Sequence, residues 1–225
     1  MIKTVAVIPI SGRLDILKIT IPKLLKQVFR VILIGNITED RDSSSEYFQT
    51  YFPSADYYYC ENSVRRGAKW QYGINQAQDY NPDAILISSS GGVFKDEYFD
   101  IELEDVMGSG DLYYLDYTKE GQRMFYWPGY NGSRADEPVG LGRLISSDFL
   151  NKCKWNIYPD VHSGLDYRSM QIFRKNDARI KIVKGIPPMR ISSYKYTQSN
   201  SYDRMVKMST SQDVDMDKVL KEYGL

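Results

Sequence analysis

Histidine is nearly missing from this sequence: His162 stands alone among 225 residues. Cysteine is almost as scarce, with only Cys60 and Cys153 and no CxxC spacing between them. That argues against a zinc site or a disulfide framework and points to a reduced, cytoplasmic protein. Net charge is absent too, since Lys+Arg and Asp+Glu both number 29. Without a basic field the chain lacks the electrostatic footprint of a duplex binder, and no nucleic-acid partner is expected. No apolar run approaches the roughly 20 residues that a bilayer-spanning helix needs, so no transmembrane segment is expected. The opening "MIKTVAVIPI" is punctuated by Pro9 too early for a secretory leader and reads as a first strand. What is plentiful is apolar and aromatic material. At 42% hydrophobic residues the chain can bury one substantial core, and its 19 tyrosines are rings that pack cores and also form platforms for sugars or bases.

The order of patterns is more telling. "TVAVIPI" (4–10) and "RVILIGN" (30–36) are continuous β-branched runs of the kind that become strands covered on both faces. Between them, Leu14, Leu17, Ile21, Leu24 and Leu25 recur at helical spacing, with Pro22 expected to kink or divide the helix. "ADYYYCEN" reads as a third strand, "GAKWQYGINQAQDY" as a helix, and "DAILISSSGGVF" as a buried strand running into a small uncharged turn. Alternating strands and helices predict a parallel α/β sheet with crossover helices. Ligands of such sheets sit at the carboxyl ends of the strands, so the loops after Pro9, Gly35 and Ile87 should border one cleft. Further on, "DLYYLDY" and "RMFYWPGY" read as a strand pair turning at Gly121. "NGSRADEPVGLGRLIS" reads as a glycine-rich loop, "SDFLNKC" as a short helix capped by Ser147 or Asp148, "GLDYRSMQIFRKN" as a helix and "ARIKIVKG" as a strand. Residues 1–195 are expected to form one domain, and 196–225 a Ser-, Asp- and Lys-rich appendage ending in a short helix.

Three stretches in this order resemble a nucleotide-sugar glycosyltransferase of the GT-A fold, family two type. The first is "VAVIPISGR" followed by "VILIGN"; the second carries Asn62, Gly67, Lys69, Gly73 and Ala77 ahead of the "DAILIS" strand. The third is "GLDYRSMQIFRKNDARIKIV", similar to the family's Glu-Asp motif, with Leu165 where Glu is usual but with Asp166 and Arg168 in place. The resemblance covers roughly residues 1–190. It implies an α/β, GT-A-like (Rossmann-like) mixed, mostly parallel sheet flanked by helices. It also implies transfer of a sugar, with inversion, from a nucleoside-diphosphate donor to a glycan or other hydroxyl acceptor, as in glycan biosynthesis.

The sequence departs from that family where acids usually end the fourth strand: Gly91 and Gly92 stand in the turn after Ser88, Ser89 and Ser90. A diphosphate leaving group needs its charge neutralised, usually by Mn²⁺ or Mg²⁺ on carboxylate oxygens. Asp116 and His162 are the substitute ligands that the resemblance suggests; the alternative is a metal-independent site in which Lys69, Arg143, Lys184 or Arg190 meets the diphosphate directly. Asp166 is the expected general base, which an inverting transfer needs to take the acceptor proton. Donor contacts are expected from Pro9, Ser11, Arg13, Asn36, Lys69, Ser90 and Gly91. Trp127 and Tyr130, with Arg143, are expected to form a platform for acceptor or sugar, and Gly140 and Gly142 to let backbone approach a ligand. Two rivals stay open: a non-catalytic sugar-nucleotide or glycan binder on the same scaffold, and a nucleotidyltransferase.

Overall fold

Alternation along the first strands decides where the core lies. In β1 (Thr4–Pro9) and β2 (Arg30–Asn36), Ala6, Ile8, Val31 and Leu33 face one side of a sheet. Val5, Val7, Ile32 and Ile34 face the other, and all eight are buried. The computed structural model of the chain describes residues 2–10, 13–36, 45–61, 64–118, 121–193 and 215–225. Its other strands are β3 (Asp56–Cys60), β4 (Ala84–Ile87), β5 (Gly92–Val93), β6 (Val106–Ser109), β7 (Leu112–Thr118), β8 (Gly121–Trp127), β9 (Arg143–Ser146), β10 (Ile180–Val183) and β11 (Met189–Ser193). The helices are α1 (Leu14–Gln27), α2 (Ser45–Tyr51), α3 (Arg66–Ala77), α4 (Ser147–Lys152), α5 (Leu165–Lys175) and α6 (Met216–Glu222).

The main sheet has seven strands in the order β10-β6-β9-β4-β1-β2-β3. All its neighbours pair in parallel except β9, which runs antiparallel to both β4 and β6. One face packs on Leu17, Ile21 and Leu24 of α1 and Phe48 of α2. The opposite face packs on Ile74 and Ala77 of α3, Phe149 and Leu150 of α4, and Met170 and Phe173 of α5. Gly73 lets α3 lie close on the sheet, since a Cβ there would fall 2.6 Å from Val7 Cγ1 and 2.8 Å from Ile34 Cγ1. The expected mixed, mostly parallel sheet flanked by helices is therefore observed.

Several local expectations are corrected. Helix α1 runs unbroken through Pro22. Pro22 and Lys18, whose carbonyl loses its partner, both lie on the exposed side, where solvent can take the lost bond. Helix α4 is capped by Ser146, whose side chain accepts from the Phe149 N–H, not by Ser147 or Asp148. Strand β9, in the middle of the sheet, is the last four residues of the stretch expected as a glycine-rich loop. It pairs Ile145 with Ile85 and Arg143 with Ile87, which delivers the preceding loop to the carboxyl end of β4.

A second sheet, in the order β5-β11-β7-β8, covers the chain's other end. The expected β7–β8 pair is there, antiparallel and turning at Gly121. Helix α6, the short helix expected at the end of the appendage, packs on this sheet. Its Val219, with Tyr223, packs against Ile16, Val93, Leu115, Met189 and Ile191. The Tyr223 hydroxyl donates to Pro187 O, Lys23 Nζ donates to Tyr223 O at 2.8 Å, and Lys95 pairs with Glu222 at 2.5 Å.

Candidate active site

The carboxyl ends of β1, β2 and β4 open into one cleft of about 750 Å³. Pro9 and Ile10 come from β1, Asn36 from β2, and Ile87 with Ser88–Ser90 from β4. Arg13, Arg66, Lys69, Arg134 and Arg190 also line it, against Asp166 as the lining carboxylate among the described residues. Such a surplus of positive charge in a concave site favours anionic ligands.

Local structure fixes each group. Arg13 opens α1 in the left-handed region, at φ 63°, a conformation uncommon for a residue with a side chain. Its guanidinium reaches across the cleft floor, donating to Ser90 Oγ at 3.4 Å and Ile191 O at 3.3 Å. Thr20 Oγ1 donates to Ser90 O at 2.8 Å and holds the serine turn from behind. Lys69, on the second turn of α3, donates to Ile10 O at 2.5 Å and Asn36 Oδ1 at 2.6 Å, tying the ends of β1 and β2 together. Burial lowers its pKa to about 8, while Cys60 works weakly in the other direction. Gly67 brings residues 159–161 against α3: a Cβ would sit 1.9 Å from Pro159 O, and its N–H donates to Val161 O at 2.9 Å.

Asp166 lies in the first turn of α5, where the helix dipole favours a carboxylate. Gly164 precedes the helix at φ 68°, a turn that suits glycine. The Tyr130 hydroxyl donates to Asp166 Oδ2 at 3.2 Å. Burial first, then the Asp166 charge, raises the Tyr130 phenol above its ordinary range, so it remains a donor. The other side of the carboxylate rests on Gly140, where a Cβ would fall 2.2 Å from Oδ1. Arg134 stacks on Tyr130, 3.7 Å from the ring centroid, and lies 5.6 Å from the ring of Tyr167.

The loop carrying these groups is fastened to α5 twice. Glu137, fully buried, pairs with Arg134 Nε at 2.6 Å and Arg174 Nη1 at 2.7 Å. Arg143, also buried, donates to Pro138 O, Val139 O, Asp166 O and Ser169 Oγ. Arg143 is therefore a strut behind the site, and the expected phosphate or platform role is corrected by its burial.

Of the other residues proposed from sequence, Pro9, Arg13, Asn36, Lys69, Ser90, Tyr130, His162 and Asp166 meet in the cleft. Ser11 and Asn62 lie outside the described residues. Trp127 is not a lining residue. It is buried with Leu112, Tyr114 and Val139 and meets Tyr130 edge-on at 5.0 Å. Gly91 is not among the lining residues and packs on β11, where a Cβ would fall 2.1 Å from Ile191 O. Gly142 packs under the Phe94 and Tyr98 rings in the same way. Asp116 is buried in β7 of the second sheet, opposite Arg123 and Ser192, while His162 is exposed at the cleft mouth. The structure does not bring this pair together, and no group of three or more His, Cys, Asp and Glu clusters among the described residues. Among the described residues the cleft offers hydroxyls on the β4 turn, one carboxylate and a surplus of cations, a set that does not suit a hard divalent ion. Sequence reasoning missed Tyr167, about half exposed beside Asp166, and Trp70 and Tyr158, whose rings pack at 5.7 Å under the cleft. The places of Tyr167 on α5 and Trp70 on α3 could have signalled them, whereas Tyr158, in the irregular segment before α5, carries no such signal.

No family model matches the chain, and no curated protein matches it. Solved structures do. S. aureus TarS 1–349 in complex with UDP-GlcNAc superposes with a TM-score of 0.59 at 16% identity, over 84% of this chain and 58% of that one. The fold is GT-A-like. The chain thus spans about three fifths of the TarS chain it matches. A 4-diphosphocytidyl-2C-methyl-D-erythritol synthase superposes with a TM-score of 0.55 at 11% identity, over 92% of this chain and 98% of that one. In this GT-A-like sheet, the cleft of cations and serines lies at the strand ends where such parallel sheets bind ligands. No helix among the described residues is long and apolar enough to cross a membrane.

Proposed function

We propose that this chain is a nucleotide-dependent transferase that moves a sugar from a nucleoside-diphosphate donor to a hydroxyl acceptor, with inversion. The observation that carries this reading is one Tyr130-bound carboxylate, Asp166, in a cleft whose other charged lining residues, among those described, are the cations Arg13, Arg66, Lys69, Arg134 and Arg190. Asp166 Oδ1 takes the proton of the acceptor hydroxyl as that oxygen bonds to the anomeric carbon. The bond from that carbon to the diphosphate oxygen breaks, and its electron pair leaves with the diphosphate among the cationic groups. Tyr167, exposed next to Asp166, offers a ring on which an acceptor sugar can stack. The resemblance to TarS bound to UDP-GlcNAc makes uridine diphosphate sugars the first donors to try.

Calorimetric titration against a panel of nucleotide sugars tests the proposal. Donor binding that Lys69→Gln weakens supports it, and a panel with no binder overturns it. A second reading is favoured by one observation: the match to the synthase covers nearly the whole of both chains. A nucleotidyltransferase on this scaffold would take a nucleoside triphosphate and release pyrophosphate, whereas a glycosyltransferase releases a nucleoside diphosphate. Tight donor binding without any product would instead mark a sugar-nucleotide binder.

A further inference from the structure

The turn after β4 is built to meet negative charge with fixed cations. We propose that Arg13, Lys69 and Arg190 form a cradle that binds the donor's diphosphate without a divalent ion, an inference that rests on the nucleotide-sugar reading of the cleft. Three observations carry it. The residues that the turn presents to the cleft are Ser88, Ser89 and Ser90, which offer hydroxyls and no carboxylate. The two glycines behind them have no room for an acid: a Cβ at Gly91 would fall 2.1 Å from Ile191 O, and one at Gly92 2.4 Å from Ser88 Oγ. The cleft that this turn borders is lined by cations from three elements. Arg13 comes from the start of α1 and donates to Ser90 Oγ and Ile191 O. Arg190 comes from β11, in register with Gly92. Lys69 comes from α3 and is held by neutral oxygens, Ile10 O and Asn36 Oδ1. A hard ion seeks anionic oxygens, and among the described residues this turn offers none. A diphosphate finds charge-assisted donors already placed by helix ends and strand pairing.

Inorganic pyrophosphate is the probe, titrated calorimetrically into the full chain in EDTA and again in Mg²⁺ or Mn²⁺. The expected result is binding in EDTA that weakens as salt is raised. Arg13→Gln and Arg190→Gln should each weaken it by about ten- to a hundred-fold, the usual scale for a lost charged hydrogen bond, at an unchanged melting temperature. Arg190→Lys should recover part of the loss. If either variant fails to fold, the EDTA and salt arms on the unmodified chain still decide. Binding that vanishes in EDTA and returns with the metal overturns the cradle, as does no binding in either buffer or full affinity in the folded variants. The two readings fail separately. Metal-free pyrophosphate binding with no nucleotide-sugar binder sinks the transferase and leaves the cradle, whereas sugar transfer only in the presence of metal does the reverse.

Discussion

One added methyl group at Gly140 probes how the candidate base is seated. An alanine Cβ would fall 2.2 Å from Asp166 Oδ1 and 2.4 Å from its Cγ and Oδ2, where ordinary contact begins near 3.4 Å. The carboxylate must therefore retreat by about 1 Å in a closely packed setting. Gly140 is not among the glycines with positive φ, so alanine brings no backbone strain and the effect is steric. Retreat pulls Oδ2 from the Tyr130 hydroxyl, now at 3.2 Å. Overpacking of this kind costs about 1–3 kcal/mol of stability, which lowers Tm by a few degrees in a chain of this size. Misplacing a base by about 1 Å costs on the order of a hundredfold in kcat. Initial rates with the donor identified by titration, taken for Gly140→Ala, Asp166→Asn and the double variant, separate the two effects. If Gly140 acts through Asp166, alanine should cost kcat about a hundredfold in the parent and almost nothing once Asp166 is Asn. A Gly140→Ala protein with parental kcat, or an equal loss in both backgrounds, refutes the seat.

Other perturbations give separate readouts. Glu137→Gln removes the buried charge between Arg134 and Arg174; with those side chains 27% and 34% exposed, the cost should be about 2–3 kcal/mol, below the range for a fully buried pair, and Tm should fall by about 5–10 °C. An unchanged melt would show that the loop is not held by this latch. Lys69 has a folded pKa of about 8 against an ordinary 10.5, so the advantage in pyrophosphate affinity over Lys69→Gln should shrink above pH 8 as the ammonium is lost. Between those two values the unfolded chain holds more protons, so this group makes stability rise with pH there. An advantage that does not shrink assigns the pH dependence to other groups. Tyr223→Ala should cost about 3–5 kcal/mol by emptying a core site under α6, and a thermal melt within 2 °C of the parent would show that α6 adds little to this packing.

How much of this was legible in the sequence depends on run length and on burial. β1, β2 and β4 are unbroken apolar runs separated by helical patterns, so the parallel sheet and the cleft at its strand ends could be read directly. The position of Asp166 on the first turn of a helix was equally plain. β9 was hidden because four residues that begin with Arg143 look like the end of a polar loop, and only pairing with β4 and β6 makes them a strand. The same tertiary fact buries Arg143, which by composition alone looked like a phosphate ligand. Trp127 and Asp116 failed for a related reason. Leu115 and Asp116, neighbours in β7 that face opposite sides of the second sheet, are both buried. The glycines stand out in the sequence but their partners do not: Gly91 accommodates the backbone of β11, and Gly140 accommodates the Asp166 carboxylate. Such close approaches join segments far apart in sequence, and no local pattern encodes them.

The central claim is that Asp166 acts as a base in sugar transfer from a nucleoside-diphosphate donor. Its most direct test is product identity: nucleotide sugar with candidate acceptors and, in parallel, nucleoside triphosphates with candidate phosphorylated substrates are incubated with the chain and with Asp166→Asn, and the released phosphate species is identified by chromatography. The parent chain should yield nucleoside diphosphate and a glycosylated acceptor. Asp166→Asn should yield roughly a hundred- to ten-thousand-fold less of both, with donor affinity nearly intact. Pyrophosphate released from a nucleoside triphosphate, or parental turnover by a stable Asp166→Asn protein, would contradict that claim.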